Sequence, residues 1–237
     1  MFVIFDVETR IDKALVRTVL HRQTTLGEEE AYEQTRADLV ARRASGSDFF
    51  PLAFHVPVSV AIGEVDAARV LRAVHVLGAD TFGEAGLVTE FWRRIEALEG
   101  TLVSFNGRSF DLPVMELAAL RHRCCIPRYF ETLRDATDAH YDLYDVITNG
   151  GAFGVRGGFD LLAQLIGLPG KGAVDGSNVQ ALWEAGQLAD IHAYCRRDVI
   201  QTYFLFLRVE LMRGRLSAAE HAAALAATAG FRAELDA

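Results

Sequence analysis

Four apolar residues near the start of the chain, Phe2 to Phe5, run directly into Asp6-Val7-Glu8. The run is brief and rich in β-forming residues, which reads as a buried strand and not a helix. Side chains alternate across a strand, so Asp6 and Glu8 share one face of the sheet while Val7 turns into the core. Two carboxylates on one side of a strand end have the geometry of metal ligands. The same Asp-x-Glu pattern also ends strands in solvated turns, so the pair needs partners elsewhere in the chain.

The rest of the sequence supplies alternating strands and helices. Residues 13–44 are rich in Ala, Leu, Glu, Gln and Arg and hold no proline, reading as one or two amphipathic helices inserted between strands. Val56, Val58, Val60 and Ile62 alternate, and residues 70–77 repeat that pattern after a polar break, which predicts an antiparallel hairpin and a mixed sheet. Residues 87–98 are helical in spacing and stop at Gly100; 101–105 read as a strand and 111–120 as a helix with Pro113 in its first turn. The stretch 129–158 is irregular, glycine-rich at its end, and reads as mobile. Residues 159–166, 178–185 and 188–211 look helical, and Ser217 with Glu220 forms a capping-box spacing. The expectation is an α/β fold in one domain, 1–237, with a helical insertion at about 13–44 and a C-terminal helical extension from about 212.

Charge and cysteine content bound the function. A net charge of −8 argues against a protein that coats nucleic acid. A site that binds cations through carboxylates is acidic at its centre, however, and needs only a rim of positive charge to steer a strand end. Lys13 and Lys171 are the only lysines, so Arg93-Arg94, Arg121-His122-Arg123 and Arg196-Arg197 are the candidate rim; solvated helix faces explain most arginines. Cys124, Cys125 and Cys195 are too few and too oddly spaced for a disulfide framework, which points to a reducing cytoplasm. Nothing approaches the roughly 20 apolar residues of a membrane span, and the first residues lack a signal peptide's basic segment.

Two further acidic positions stand in distinctive settings. In Ser104-Phe105-Asn106-Gly107-Arg108-Ser109-Phe110-Asp111 a strand enters a glycine-bearing turn, and Asp111 opens a helix, where the helix dipole alone also favours an acid. In Tyr194-Cys195-Arg196-Arg197-Asp198 the four-residue step puts Tyr194 and Asp198 on one helix face.

Together, Phe5 to Thr9, Asn106 to Asp111 and Tyr194 to Asp198 resemble the three motifs of the DEDD (DnaQ-like) 3′→5′ exonuclease superfamily, in the variant whose third motif is Tyr-x-x-x-Asp. Residues 102–112, 158–170 and 175–207 look most like a predicted exonuclease family related to the proofreading domain of family B DNA polymerases; 13–44 and the last twenty-odd residues have no counterpart in it. The resemblance implies a ribonuclease-H-like mixed β-sheet flanked by helices, with a site for two Mg²⁺ or Mn²⁺ ions. In that family pattern Asp6 bridges the ions, Glu8 and Asp198 complete the water-activating site, Asp111 supports the second ion and Tyr194 hydrogen-bonds the water.

Substrate contacts are less defined. Asn106 and Thr9 are candidates for the last nucleotides, though either also suits a turn. Phe54 and Phe110 suit base stacking or the core. Asp142, Asp145 and Asp175 read as caps or loop residues, and His192 has the wrong spacing to replace Tyr194. The partner expected is a nucleic acid with a 3′ end, single-stranded DNA first; an exoribonuclease and a catalytically silent binding module are the rivals, and a polymerase or repair partner is not identified by these residues.

Overall fold

A computed structural model describes residues 1–134, 136, 139–170 and 178–236, so Asp175 lies outside the described residues. Five strands form one mixed sheet: β1 (Phe2–Ile11), β2 (His55–Val65), β3 (Leu71–Gly78), β4 (Thr101–Ser104) and β5 (His140–Asp142). Their spatial order is β3-β2-β1-β4-β5, with β1–β2 and β2–β3 antiparallel and β1–β4 and β4–β5 parallel. This is a ribonuclease-H-like α/β arrangement with β1 at its centre.

Alternation along β1 divides the molecule into two cores. Val3, Phe5 and Val7 pack with Leu87, Phe91 and Trp92 of α3 (Ala79–Glu96) and with Met115 of α4 (Asp111–His122). Phe2 and Ile4 face the opposite layer, where a later helix, Leu188–Met212, contributes Val199, Tyr203 and Phe206. That helix approaches closely because Gly63 of β2 has no side chain: a Cβ there would lie 3.0 Å from Val199 Cγ1.

The length of β1 matters more than its hydrophobicity. It pairs with β2 along its whole course but with β4 only from Phe2 to Ile4. Beyond Ile4 the chain side facing β4 has no neighbouring strand, and a crevice opens where the parallel strands end. Ligand sites in open α/β sheets form at such strand ends.

Helices α1 (Lys13–Leu20) and α2 (Glu28–Arg42) follow β1 and close a small third core of Ile11, Val16, Tyr32, Phe50 and Phe54. α2 buries only Ala31, Tyr32 and Thr35, so it is far less amphipathic than its position suggests. The described part of 129–158, which reads as irregular in sequence, holds regular elements. It contains β5 and the short helix α5 (Leu143–Thr148), both invisible to periodicity because each is a few residues long. The remaining helices are α6 (Gly158–Leu165), α7 (Val179–Glu184), α8 (Leu188–Met212), α9 (Ala218–Ala227) and α10 (Ala229–Asp236). Ser217 and Glu220 form the capping box of α9. Among the described residues no helix is long and apolar enough to cross a membrane.

Candidate active site

The crevice at the end of β1 is an open cleft of about 500 Å³ lined by Asp6, Glu8, Asn106, Phe110, Asp111, Tyr194 and Asp198, among others. Each arrives by a local rule. Strand alternation turns Asp6 and Glu8 toward α8, while the helical four-residue step aligns Tyr194 with Asp198. Asp111 is held by the sheet itself: the Val7 N–H, which β4 is too short to engage, donates to Asp111 Oδ1 at 2.9 Å. Gly107 makes that turn possible, since a Cβ would lie 2.6 Å from Ser104 Cβ and 3.4 Å from Asp111 Oδ2.

These carboxylates have little water around them; Glu8, Asp111 and Asp198 are 7%, 5% and 8% exposed. Burial pushes the Glu8 carboxyl well above its ordinary range, and the charges of Asp6, Asp198 and Asp111 push it further. Burial also raises Asp111 to about 7, against the stabilising N–H groups of Val7 and of its own backbone. Tyr194 is raised by burial first and then by Asp198, Glu8 and Asp6, so its phenol stays protonated and is hydrogen-bonded to Asp198.

Cys195 is a site neighbour that its sequence setting did not reveal. Asp6, Glu8 and Cys195 each offer a ligand atom within 4.8 Å of the others. Burial, followed by the charges of Asp6 and Glu8, pushes the Cys195 thiol well up, so it remains a thiol. It donates to the Asp6 carbonyl oxygen at 3.5 Å and to Asp6 Oδ2 at 3.6 Å. The remaining donors are hard carboxylate oxygens, and those of Glu8 and Asp111 are crowded and desolvated enough to hold protons they would ordinarily lose. That donor set fits a hard divalent cation, which relieves the same repulsion.

The secondary candidates divide. Thr9 sits past a β-bulge at Glu8/Thr9, and its Oγ1 meets His55 Nδ1 at 2.8 Å. It lines not the carboxylate cleft but an adjoining pocket of about 340 Å³ that shares Glu8, Phe49 and Phe110 with it. Asn106 takes a left-handed turn with φ 64°, its N–H donating to Asp142 Oδ1 at 2.8 Å. Phe110 stands edge-on to the His55 ring at 5.2 Å and lies 5.7 Å from the Phe49 ring. Phe49 and His55 complete an aromatic wall absent from the sequence reading. Phe54 belongs to the third core and is buried.

Asp142 caps α5 and gathers the N–H groups of Asn106, Arg108 and Tyr144, while Asp145 lies 4.0 Å from Arg108 Nε. The expected arginine rim is otherwise engaged. Arg93 and Arg94 share Glu90, Arg121 meets Asp12 and Glu84, Arg196 forks onto Glu234, and none of the three clusters lines the cleft. Helix-face arginines find carboxylates three or four residues away or on the next helix more readily than they reach a distant site.

A 3-2-1-4-5 mixed sheet with acidic side chains gathered where its central strand outruns its neighbour defines a ribonuclease-H-like protein. The profile of a family described as predicted 3′-5′ exonucleases related to the exonuclease domain of PolB matches residues 47–232, and the chain belongs to that family. Asn106, Phe110, Asp111, Tyr194 and Asp198 fall within the match; β1, with Asp6 and Glu8, precedes it. The match also runs through α9, beyond the point near 212 where the motif resemblance ends. A comparison with curated proteins finds no match.

Proposed function

We propose that this protein is a metal-dependent 3′→5′ exonuclease that shortens single-stranded DNA, with Asp6, Glu8, Asp111 and Asp198 holding two Mg²⁺ or Mn²⁺ ions and Tyr194 orienting the attacking water. The observation that carries this reading is the convergence of four carboxylates and one protonated tyrosine in a single cleft. Bound divalent ions would supply Lewis-acid stabilisation of the attacking and leaving oxygens of a phosphodiester.

The chain's own residues divide the remaining work. Tyr194 cannot serve as a base, because burial and three carboxylates hold its proton. Its hydroxyl donates to Asp198, leaving oxygen lone pairs to accept from a water and fix its direction of approach. Asp111 ties the start of α4 to the β1 backbone, so the acids of two elements keep one spacing. Phe49, 46% exposed, and Phe110 border both the cleft and the adjoining pocket, where an unpaired base can stack on an aromatic ring. That preference for an unstacked end supports a single-stranded substrate.

The test is incubation of purified protein with end-labelled single-stranded DNA, RNA and 3′-recessed duplex, in Mg²⁺, Mn²⁺ or chelator. Stepwise shortening of the DNA from its 3′ end, only with metal, is expected. Release from the 5′ end, or full activity in chelator, overturns the proposal; faster shortening of RNA replaces it with an exoribonuclease.

A further inference from the structure

Two sets of hydrogen bonds, joined through α8, lead from the surface to the carboxylate cleft. Asp80, at the start of α3, is half exposed, and its Oδ1 lies 3.0 Å from His192 Nε2. Because a carboxylate only accepts, the proton of that contact sits on Nε2. The other ring nitrogen, Nδ1, meets Ser59 Oγ at 2.9 Å. Ser59 is fully buried in β2, opposite Glu8 in the strand register, and its hydroxyl donates to that nitrogen. Cys195, one turn along α8 from His192, donates to Asp6 Oδ2.

The backbone makes room for this arrangement. Gly78 pairs with Ser59 across β2 and β3, and a Cβ on Gly78 would collide with both Asp80 Oδ1 and His192 Nε2. His192 and Cys195 are three residues apart on α8, so one face of that helix carries both links. The Ser-His-Asp composition is not a nucleophile set: Ser59 is 0% exposed within a central strand, where no substrate reaches its hydroxyl.

We propose that Asp80, His192 and Ser59, joined through α8 to the Cys195 thiol, form a line of contacts that positions the Asp6 carboxylate for divalent-cation binding. The inference rests on the reading of Asp6 as a metal ligand. All four are positioning residues: they hold Asp6 toward the cleft and fix α8, with Tyr194 and Asp198, against β2. Partners behind a metal ligand orient it, and their loss costs roughly tenfold or more in metal affinity.

The experiment is Mn²⁺ binding by calorimetry to the full chain and to Asp6→Asn, Asp80→Ala, His192→Ala, Cys195→Ala and Cys195→Ser, with melting temperatures and with KM and kcat for single-stranded DNA. Asp80→Ala and His192→Ala are expected to weaken Mn²⁺ binding about tenfold, leave KM for the strand unchanged, and recover kcat when Mn²⁺ is raised. Cys195→Ser, which keeps a donor, is expected to bind Mn²⁺ more tightly than Cys195→Ala. Should Cys195→Ala fail to fold, Asp80→Ala decides, because that half-exposed side chain can be removed without opening the core. The line is overturned if Asp6→Asn loses Mn²⁺ while Asp80→Ala and His192→Ala bind it as the wild type does. If Asp6→Asn itself binds Mn²⁺ like wild type, the metal-ligand reading fails, and that outcome is distinct from failure of the line alone.

Discussion

Burial and three neighbouring carboxylates keep the Tyr194 phenol protonated, which restricts it, in the proposed hydrolysis, to hydrogen bonding. Replacing it with phenylalanine removes one hydroxyl and no volume to speak of. Tyr194→Phe is expected to lower kcat on the order of 10²-fold, the cost of a misdirected reactant, with strand affinity little changed. Single-turnover rates at saturating DNA would check this, and equal rates would remove Tyr194 from the mechanism. At this scale the sequence is informative wherever a local rule applies: Asp6 with Glu8 by strand alternation, Tyr194 with Asp198 by the helical step. Cys195, Ser59 and His192 are joined to the site across 133 to 189 residues of chain, and no spacing pattern reports such contacts. Phe49 and His55 were missed for a similar reason, since an aromatic residue beside a loop has the same sequence signature whether it lines a cleft or packs in a core.

The mismatch between β1 and β4 is what creates the cleft. Because β4 ends early, the loop after it must fold back tightly, and Asp142 at the end of β5 holds that loop through the N–H groups of Asn106 and Arg108. Gly107 lies between these bonds with the buried Ser104 side chain against its α-carbon. Ser104 is itself hydrogen-bonded to His140 at 2.8 Å, so it has nowhere to retreat. Gly107→Ala is therefore expected to destabilise the fold by about 1–3 kcal/mol through overpacking, and to reduce activity by shifting Asp111. Urea denaturation measures the first effect; an unchanged midpoint would show that Ser104 yields freely. The alternating β2 and the 25-residue α8 were legible in the sequence because several turns or alternations repeat their signal, whereas only the first residues of β1 read as a strand. β5 was not: His140 and Asp142 are polar, and they are buried only because Ser104 and the loop N–H groups wait for them. Helix boundaries show the same limit, for α3 starts at Ala79 and is broken at Gly83, well before the regular spacing begins.

For the molecule as a whole, the acidic cleft sets stability against the proposed cation binding. Glu8 and Asp111 have folded-state pKa values raised above their ordinary ones, Asp111 to about 7. A carboxyl raised in this way binds protons more tightly folded than unfolded, so its contribution is full at low pH and is lost as pH rises through the folded value. His140 works in the opposite direction: burial and the Arg108 charge depress it from 6.5 to about 3, so its penalty is felt only below its ordinary value. Between about pH 6.5 and 8 the carboxylates therefore dominate, and in chelator the melting temperature should fall across that window. Asp198→Asn removes one of the charges acting on Glu8 while keeping an acceptor for Tyr194. It is expected to abolish hydrolysis yet melt higher than wild type in chelator at pH 8, by roughly 2–4 °C if about 1 kcal/mol of repulsion is relieved. Wild type should gain more than the variant from added Mg²⁺, because a ligand that binds only the folded state stabilises it by an amount that grows with the logarithm of its affinity. Scanning calorimetry of both proteins at pH 6.5 and 8, with chelator and with Mg²⁺, tests the scheme. A variant that melts below wild type in chelator, beside a wild type indifferent to Mg²⁺, would mean that Asp198 supports the fold through Tyr194 and holds no cation.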